Sequence, residues 1–141
     1  MRLWSGDHWP PDGRTAPADG LAIEWTGGQP GHPSSYGLLG AVASIEPSIT
    51  VGTEGPEFAE SLLGVADRVC FGLPLEFRLA VDQVSAEHGP LNICAAAHGV
   101  ASSSEWIFRG LTRFLTEAIR DVGALEHVWE RLAAAMAAER H

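Results

Sequence analysis

Apolar residues recur along this chain with two different periods, and the change of period divides it into strands and helices. Residues 21–26 alternate apolar and polar partners, which predicts a strand, and Gly27-Gly28-Gln29-Pro30-Gly31-His32-Pro33 has the composition of a loop. Residues 36–46 predict a second strand ended by Pro47; its glycines and alanines give it little strand propensity, so its place between loops carries the assignment. Residues 50–56 read as a turn region. Residues 62–71 then predict a third strand, with Leu63, Val65, Val69 and Phe71 on one face at a two-residue period.

After residue 72 the spacing lengthens. Phe77, Ala80, Val81 and Val84 form one stripe of a helix predicted over 74–88. Pro74 suits its first turn, where a missing N–H costs nothing, Glu76 complements the helix dipole, and Gly89 is the stop. Residues 91–98 predict a short buried strand. The clearest helix spans 102–122, where Trp106, Ile107, Leu111, Phe114, Leu115, Ala118 and Ile119 recur at three- and four-residue steps and Gly123 closes it. Ser102-x-x-Glu105 reads as a capping box at its start. A last amphipathic helix, 124–139, carries Leu125, Val128, Trp129, Leu132 and Met136 and needs a partner surface.

Residues 1–20 hold Pro10, Pro11 and Pro17 with no period, which predicts an irregular arm. Trp4 and Trp9 carry large apolar area within it, so the arm is expected to dock, either on its own domain or on a second copy. The pattern as a whole predicts an α+β sandwich: a mixed β-sheet packed by two helices, with an extra C-terminal helix.

A length of 141 residues suits one domain with a genuine core. Hydrophobic residues at 45% and charged residues at 19% are the proportions of a folded globular chain. No apolar run approaches the roughly 20 residues of a bilayer crossing, and Met-Arg-Leu-Trp-Ser-Gly-Asp lacks the apolar centre of an export signal. A cytoplasmic protein without membrane contact is therefore expected. Eighteen acids against nine arginines and no lysine give a net charge of -9, which disfavours general nucleic-acid binding because phosphate contacts need cations.

Candidate chemistry is sparse. Cys70 and Cys94 are too few for a disulfide framework and sit in apolar strand surroundings where reduced thiols are ordinary. A metal or nucleophile site built from Cys94, His98, Cys70 and His88 meets a geometric objection, since strand residues four apart lie about 13 Å from one another. Ser102, Ser103 and Ser104 beside His98 lack a Gly-x-Ser-x-Gly elbow and read as helix-start serines. The Gly27-Gly28 loop is a weak phosphate cradle without a following helix start. Arg109, Arg113 and Arg120, interleaved with Glu105, Glu117 and Asp121, read as a solvated face with paired charges. No catalytic residue, metal or cofactor is expected.

Several short motifs occur in a fixed order. Thr26-Gly27-Gly28, Tyr36-Gly37, Ile45-Glu46-Pro47, Leu73-Pro74-Leu75-Glu76-Phe77 with Ala80-Val81, and Ser103-Ser104-Glu105 with Phe108 follow one another. Together they resemble the fourth domain of translation elongation factor G and of the tetracycline ribosomal protection proteins. The resemblance covers about residues 21–122 and rests on an ordered set of individually weak motifs. It implies a ribosomal protein S5 domain 2-like fold, an arm at 1–20, the elongation-factor-like domain at 21–123 and a C-terminal helix at 124–141.

The chain also departs from that family. It has no Gly-x-x-x-x-Gly-Lys-Ser/Thr phosphate loop, so GTP hydrolysis is not expected. The second tip loop shortens to His98-Gly99-Val100-Ala101-Ser102, with serine where the family has aspartate, and the first loop lacks the family's basic residue. The resemblance implies a non-enzymatic, translation-related module whose tip loops contact the ribosome or a translation factor. The candidate contact residues are Gly27, Gly28, Gln29, His32 and Tyr36 in one loop and His98, Ser102 and Ser103 in the other. The alternative is a protein-interaction or self-association module, including a homo-oligomer, that has kept the fold and lost ribosome binding.

Overall fold

The computed structural model describes residues 1–5, 9–10, 17–27, 35–58 and 67–140. Its strands are β1 (Arg2–Ser5), β2 (Leu21–Gly27), β3 (Ser35–Ala43), β4 (Ser48–Ile49), β5 (Val69–Phe71) and β6 (Leu91–Gly99). Its helices are α1 (Leu75–His88), α2 (Glu105–Ala118) and α3 (Val128–Glu139), with a 3-10 segment at Val122–His127 leading into α3. The chain is α+β, with a mixed six-stranded sheet ordered β1-β2-β3-β6-β4. β6 is long enough to pair twice along one edge, parallel to β4 through Asn92 and Ile93 and antiparallel to β5 through Ala97, His98 and Gly99.

The two sheet faces bury different things. Leu21, Ile23, Leu39, Ala41, Leu91 and Ile93 form the floor under α1 and α2, whose Phe77, Val81, Phe108, Leu111 and Phe114 complete the main core. On the opposite face Tyr36, Leu38, Phe58, Phe71, Ala95 and Ala97 form a second cluster, with Trp4 and Trp9 packed against it. Both tryptophans therefore dock on their own domain. A β-bulge makes the double use of β6 possible. Gly40 pairs with Ala95 and Ala41 with Ile93, so Cys94 is the extra residue, and side chains beyond it switch faces.

Several elements differ from the pattern reading. Arg2–Ser5, expected within an irregular arm, pairs antiparallel with β2, because Trp4 gains the second sheet face to lie on. β3 ends at Ala43 rather than 46; of the third predicted strand, 62–71, the described residues form a strand at Val69–Phe71, and Leu63 and Val65 lie outside the described residues. Val69 and Phe71 do share a face, as the alternation requires. The short strand Ser48–Ile49 falls in a stretch with no period to reveal it. α1 begins one residue after Pro74 and ends at Gly89, whose φ of 137° is the left-handed geometry glycine accommodates. α2 stops at Ala118, and Gly123 lies inside the 3-10 segment, where its N–H donates to Asp121 Oδ1 at 3.0 Å.

α3 packs along α2, and its attachment is ionic at the far end. Glu139 accepts from Arg109 Nε at 3.0 Å and from Arg113 Nε and Nη2 at 3.0 and 2.7 Å. These arginines were expected on a solvated face; they clamp α3 because the last helix needs a fixed position over α2. Arg120, exposed just past the end of α2, donates to the Pro90 carbonyl at 2.6 Å.

Candidate functional site: the tip of the sheet

The described ends of the first predicted tip loop, Gly27, Ser35 and Tyr36, lie beside the turn that follows β6. β2 ends at Gly27, which pairs with Ser35 across the first loop; Gly28, Gln29 and His32 lie outside the described residues. Tyr36, at the start of β3, donates its N–H to the Ser102 carbonyl at 3.2 Å. The Ser103 hydroxyl donates to the Tyr36 carbonyl at 2.6 Å and accepts from Gly99 N–H at 2.9 Å. Thus Tyr36, Ser102 and Ser103 share one bonded unit.

Asp67, which no sequence signal singled out, organises that unit. Its Oδ2 accepts from Ala101 N–H at 2.8 Å, Ser102 N–H at 2.9 Å and the Ser102 hydroxyl at 2.8 Å, while Oδ1 accepts from Arg68 N–H at 2.8 Å. Burial pushes the Asp67 carboxyl up, yet the donors from Ala101, Ser102 and Arg68 outweigh it and hold the pKa below the ordinary aspartate value. A β-carbon at Gly99 would overlap Ser102 Oγ and Asp67 Oδ2, so the tight turn requires glycine there.

The predicted capping box is not formed. The residue before α2 is Ser104, which makes no side-chain cap bond, and Glu105 makes only a 4.0 Å ion pair with Arg109. Ser102 instead faces Asp67, and four donors converging on one carboxylate outweigh a single cap.

His98 stands apart from this unit. Its Nδ1 donates to the Gly72 carbonyl at 3.1 Å, and its ring lines a hollow with Glu54, Pro74, Leu75 and Glu76. It sits directly opposite Cys70 in the β5–β6 ladder. Cys94 is spent elsewhere in the fold, its thiol 3.7 Å from the Gly40 carbonyl at the bulge, and His88 ends α1. Cys70 and Cys94 form no disulfide, and among the described residues no three His, Cys, Asp or Glu side chains are grouped to hold a metal. No helix of the described residues is long and apolar enough to cross a membrane.

A second polar cluster lies under β1. Glu24 is fully buried on the second sheet face, where the Tyr36 hydroxyl donates to its Oε2 and Arg2 Nε lies 3.5 Å from its Oε1. Burial raises the Glu24 pKa, outweighing the Tyr36 bond and the charges of Arg2 and the N-terminus. Tyr36 thus joins the two clusters, backbone to the tip and hydroxyl to Glu24.

No known family, curated protein or solved structure matches the chain.

Proposed function

We propose that the chain is a non-enzymatic, translation-related module of the elongation factor G domain IV type, with a ribosomal protein S5 domain 2-like fold, and that its tip meets the ribosome or a translation factor. The observation that carries this reading is the bonding of Tyr36 to Ser102 and Ser103, which ties the start of β3 to the β6–α2 turn, the places where the two tip loops are expected. The element order β2, β3, β5, α1, β6, α2, with the two-residue β4 between β3 and β5 set aside, supports it, being the strand-strand-strand-helix-strand-helix layout of that domain. Tagged chain is run through a sucrose gradient of native extract at low salt. Co-migration with ribosomal particles, reduced by Asp67→Asn, is the expected result; chain that stays wholly at the top of the gradient overturns the reading.

A second reading, a protein-interaction or self-association module, is favoured by the charge of the tip. The chain has no lysine, and the described residues of the two loops, 27, 35–36 and 98–104, include no arginine. Light scattering separates its self-association form, which requires a mass above one chain.

A further inference from the structure

Two hollows adjoin beside α1 and share one wall, the Leu75 side chain. The first is lined by Pro47, Ile49, Leu79 and Asp82, the second by Thr53, Glu54, Pro74, Glu76 and His98. Leu75 is 75% exposed and Leu79 68%, while Ile45, in the turn leading to Pro47, is 95% exposed. One exposed leucine is ordinary, but Leu75 and Leu79 lie one helical turn apart beside an apolar floor of Pro47 and Ile49, which makes a continuous strip. β4, the outermost strand of the sheet path, runs along it.

Carboxylates outnumber cations on this strip. Glu54 and Glu76 line the second hollow, Asp82 lines the first, and Glu46 is exposed beside Pro47. Arg78, the one arginine among the described residues that line either hollow, directs its guanidinium to the carbonyls of Leu73 and Val51, away from the carboxylates. Apolar contact area surrounded by carboxylates selects a partner that is apolar and cationic, and it repels polyanions.

We infer that this strip is a docking track for a short extended protein segment whose apolar side chains are flanked by lysine or arginine. Leucine-sized groups pack on Leu79, Ile49 and Pro47, and a cationic side chain enters the hollow between Glu54 and Glu76. The track borders the bonded tip only through His98, so it stands whether or not the tip meets a ribosome.

A fluorescein-labelled dodecapeptide of alternating leucine and lysine is titrated with the full chain and followed by anisotropy, beside a leucine–glutamate and a serine–lysine version. Saturable binding of the leucine–lysine peptide is expected, with the other two weaker by about tenfold or more. Leu79→Ser weakens it by about tenfold, and the pair Glu54→Gln with Glu76→Gln by about fivefold. The remote pair Glu117→Gln with Glu130→Gln, an equal change of net charge, alters it by less than about twofold. Leu79, Glu54, Glu76, Glu117 and Glu130 are all exposed, and circular dichroism of each variant distinguishes loss of fold from loss of binding. Absence of saturable binding, equal binding of either control peptide, or equal weakening by the remote pair overturns the proposal.

Discussion

Asp67 and Ser102, thirty-five positions apart, are joined twice: the Asp67 carboxylate accepts both the N–H and the hydroxyl of Ser102. This pair, with Ala101 N–H, closes the β6–α2 turn and so fixes the end surface of the sheet. Asp67→Asn keeps the shape and removes the charge that strengthens these bonds, and it is expected to cost about 1–3 kcal/mol in urea unfolding. Ser102→Ala is expected to cost less, and the two changes to be strongly non-additive in a double-mutant cycle.

The pH dependence of this pair has a definite sign. Asp67 releases its proton more readily in the folded chain than in the unfolded chain, so the stability it supplies is complete above the ordinary aspartate value of 3.8 and is lost as pH falls through the folded value. Unfolding curves of the wild type and Asp67→Asn should converge below that range; parallel curves would contradict the assignment.

Glu24 behaves in the opposite sense. Its folded pKa is raised above the ordinary 4.5, so ionising the buried carboxyl costs stability that is regained as pH falls through the raised value to the ordinary one. Glu24→Gln is expected to remove this gain, flattening the stability profile above the ordinary glutamate value. Tyr36→Phe removes the hydroxyl that bonds Glu24 and is expected to cost about 1–2 kcal/mol at pH 7.

Glu139 holds α3 to α2 through Arg109 and Arg113. Burial raises its carboxyl, but the hydrogen bonds and charges of Arg113 and Arg109 prevail and keep it below the ordinary glutamate value. Glu139→Ala is expected to cost about 1–2 kcal/mol, partly screened by salt, and to speed hydrogen exchange in α3 before the sheet opens.

Gly40 makes room for Trp9. A β-carbon there would lie 2.9 Å from Trp9 Cζ2, 2.9 Å from the Ala22 Cβ and 3.0 Å from the Ala95 Cβ. Gly40→Val is expected to displace the indole, cost about 1–3 kcal/mol and increase acrylamide quenching of tryptophan fluorescence. Unchanged quenching would show that Trp9 does not depend on this small-residue bed.

Amphipathic period placed α1 over nearly its observed length and located α2, though with seven residues too many at its ends, because Phe77 to Val84 and Ile107 to Ala118 repeat at the spacing a one-sided helix must have. The strand Leu21–Gly27 was equally legible from its alternation. Periodicity reports which side of an element is buried; it carries no information on what lies there. The pairing of Arg2–Ser5 with β2, the two-residue strand Ser48–Ile49 and the bulge at Cys94 were therefore decided by neighbouring strands. The tip shows the same division. Tyr36, Ser102 and Ser103 could be named from local sequence, whereas Asp67 acquires its role only when β5 aligns beside β6, since a carboxylate thirty-five residues away becomes the partner of Ser102 through chain folding and not through spacing.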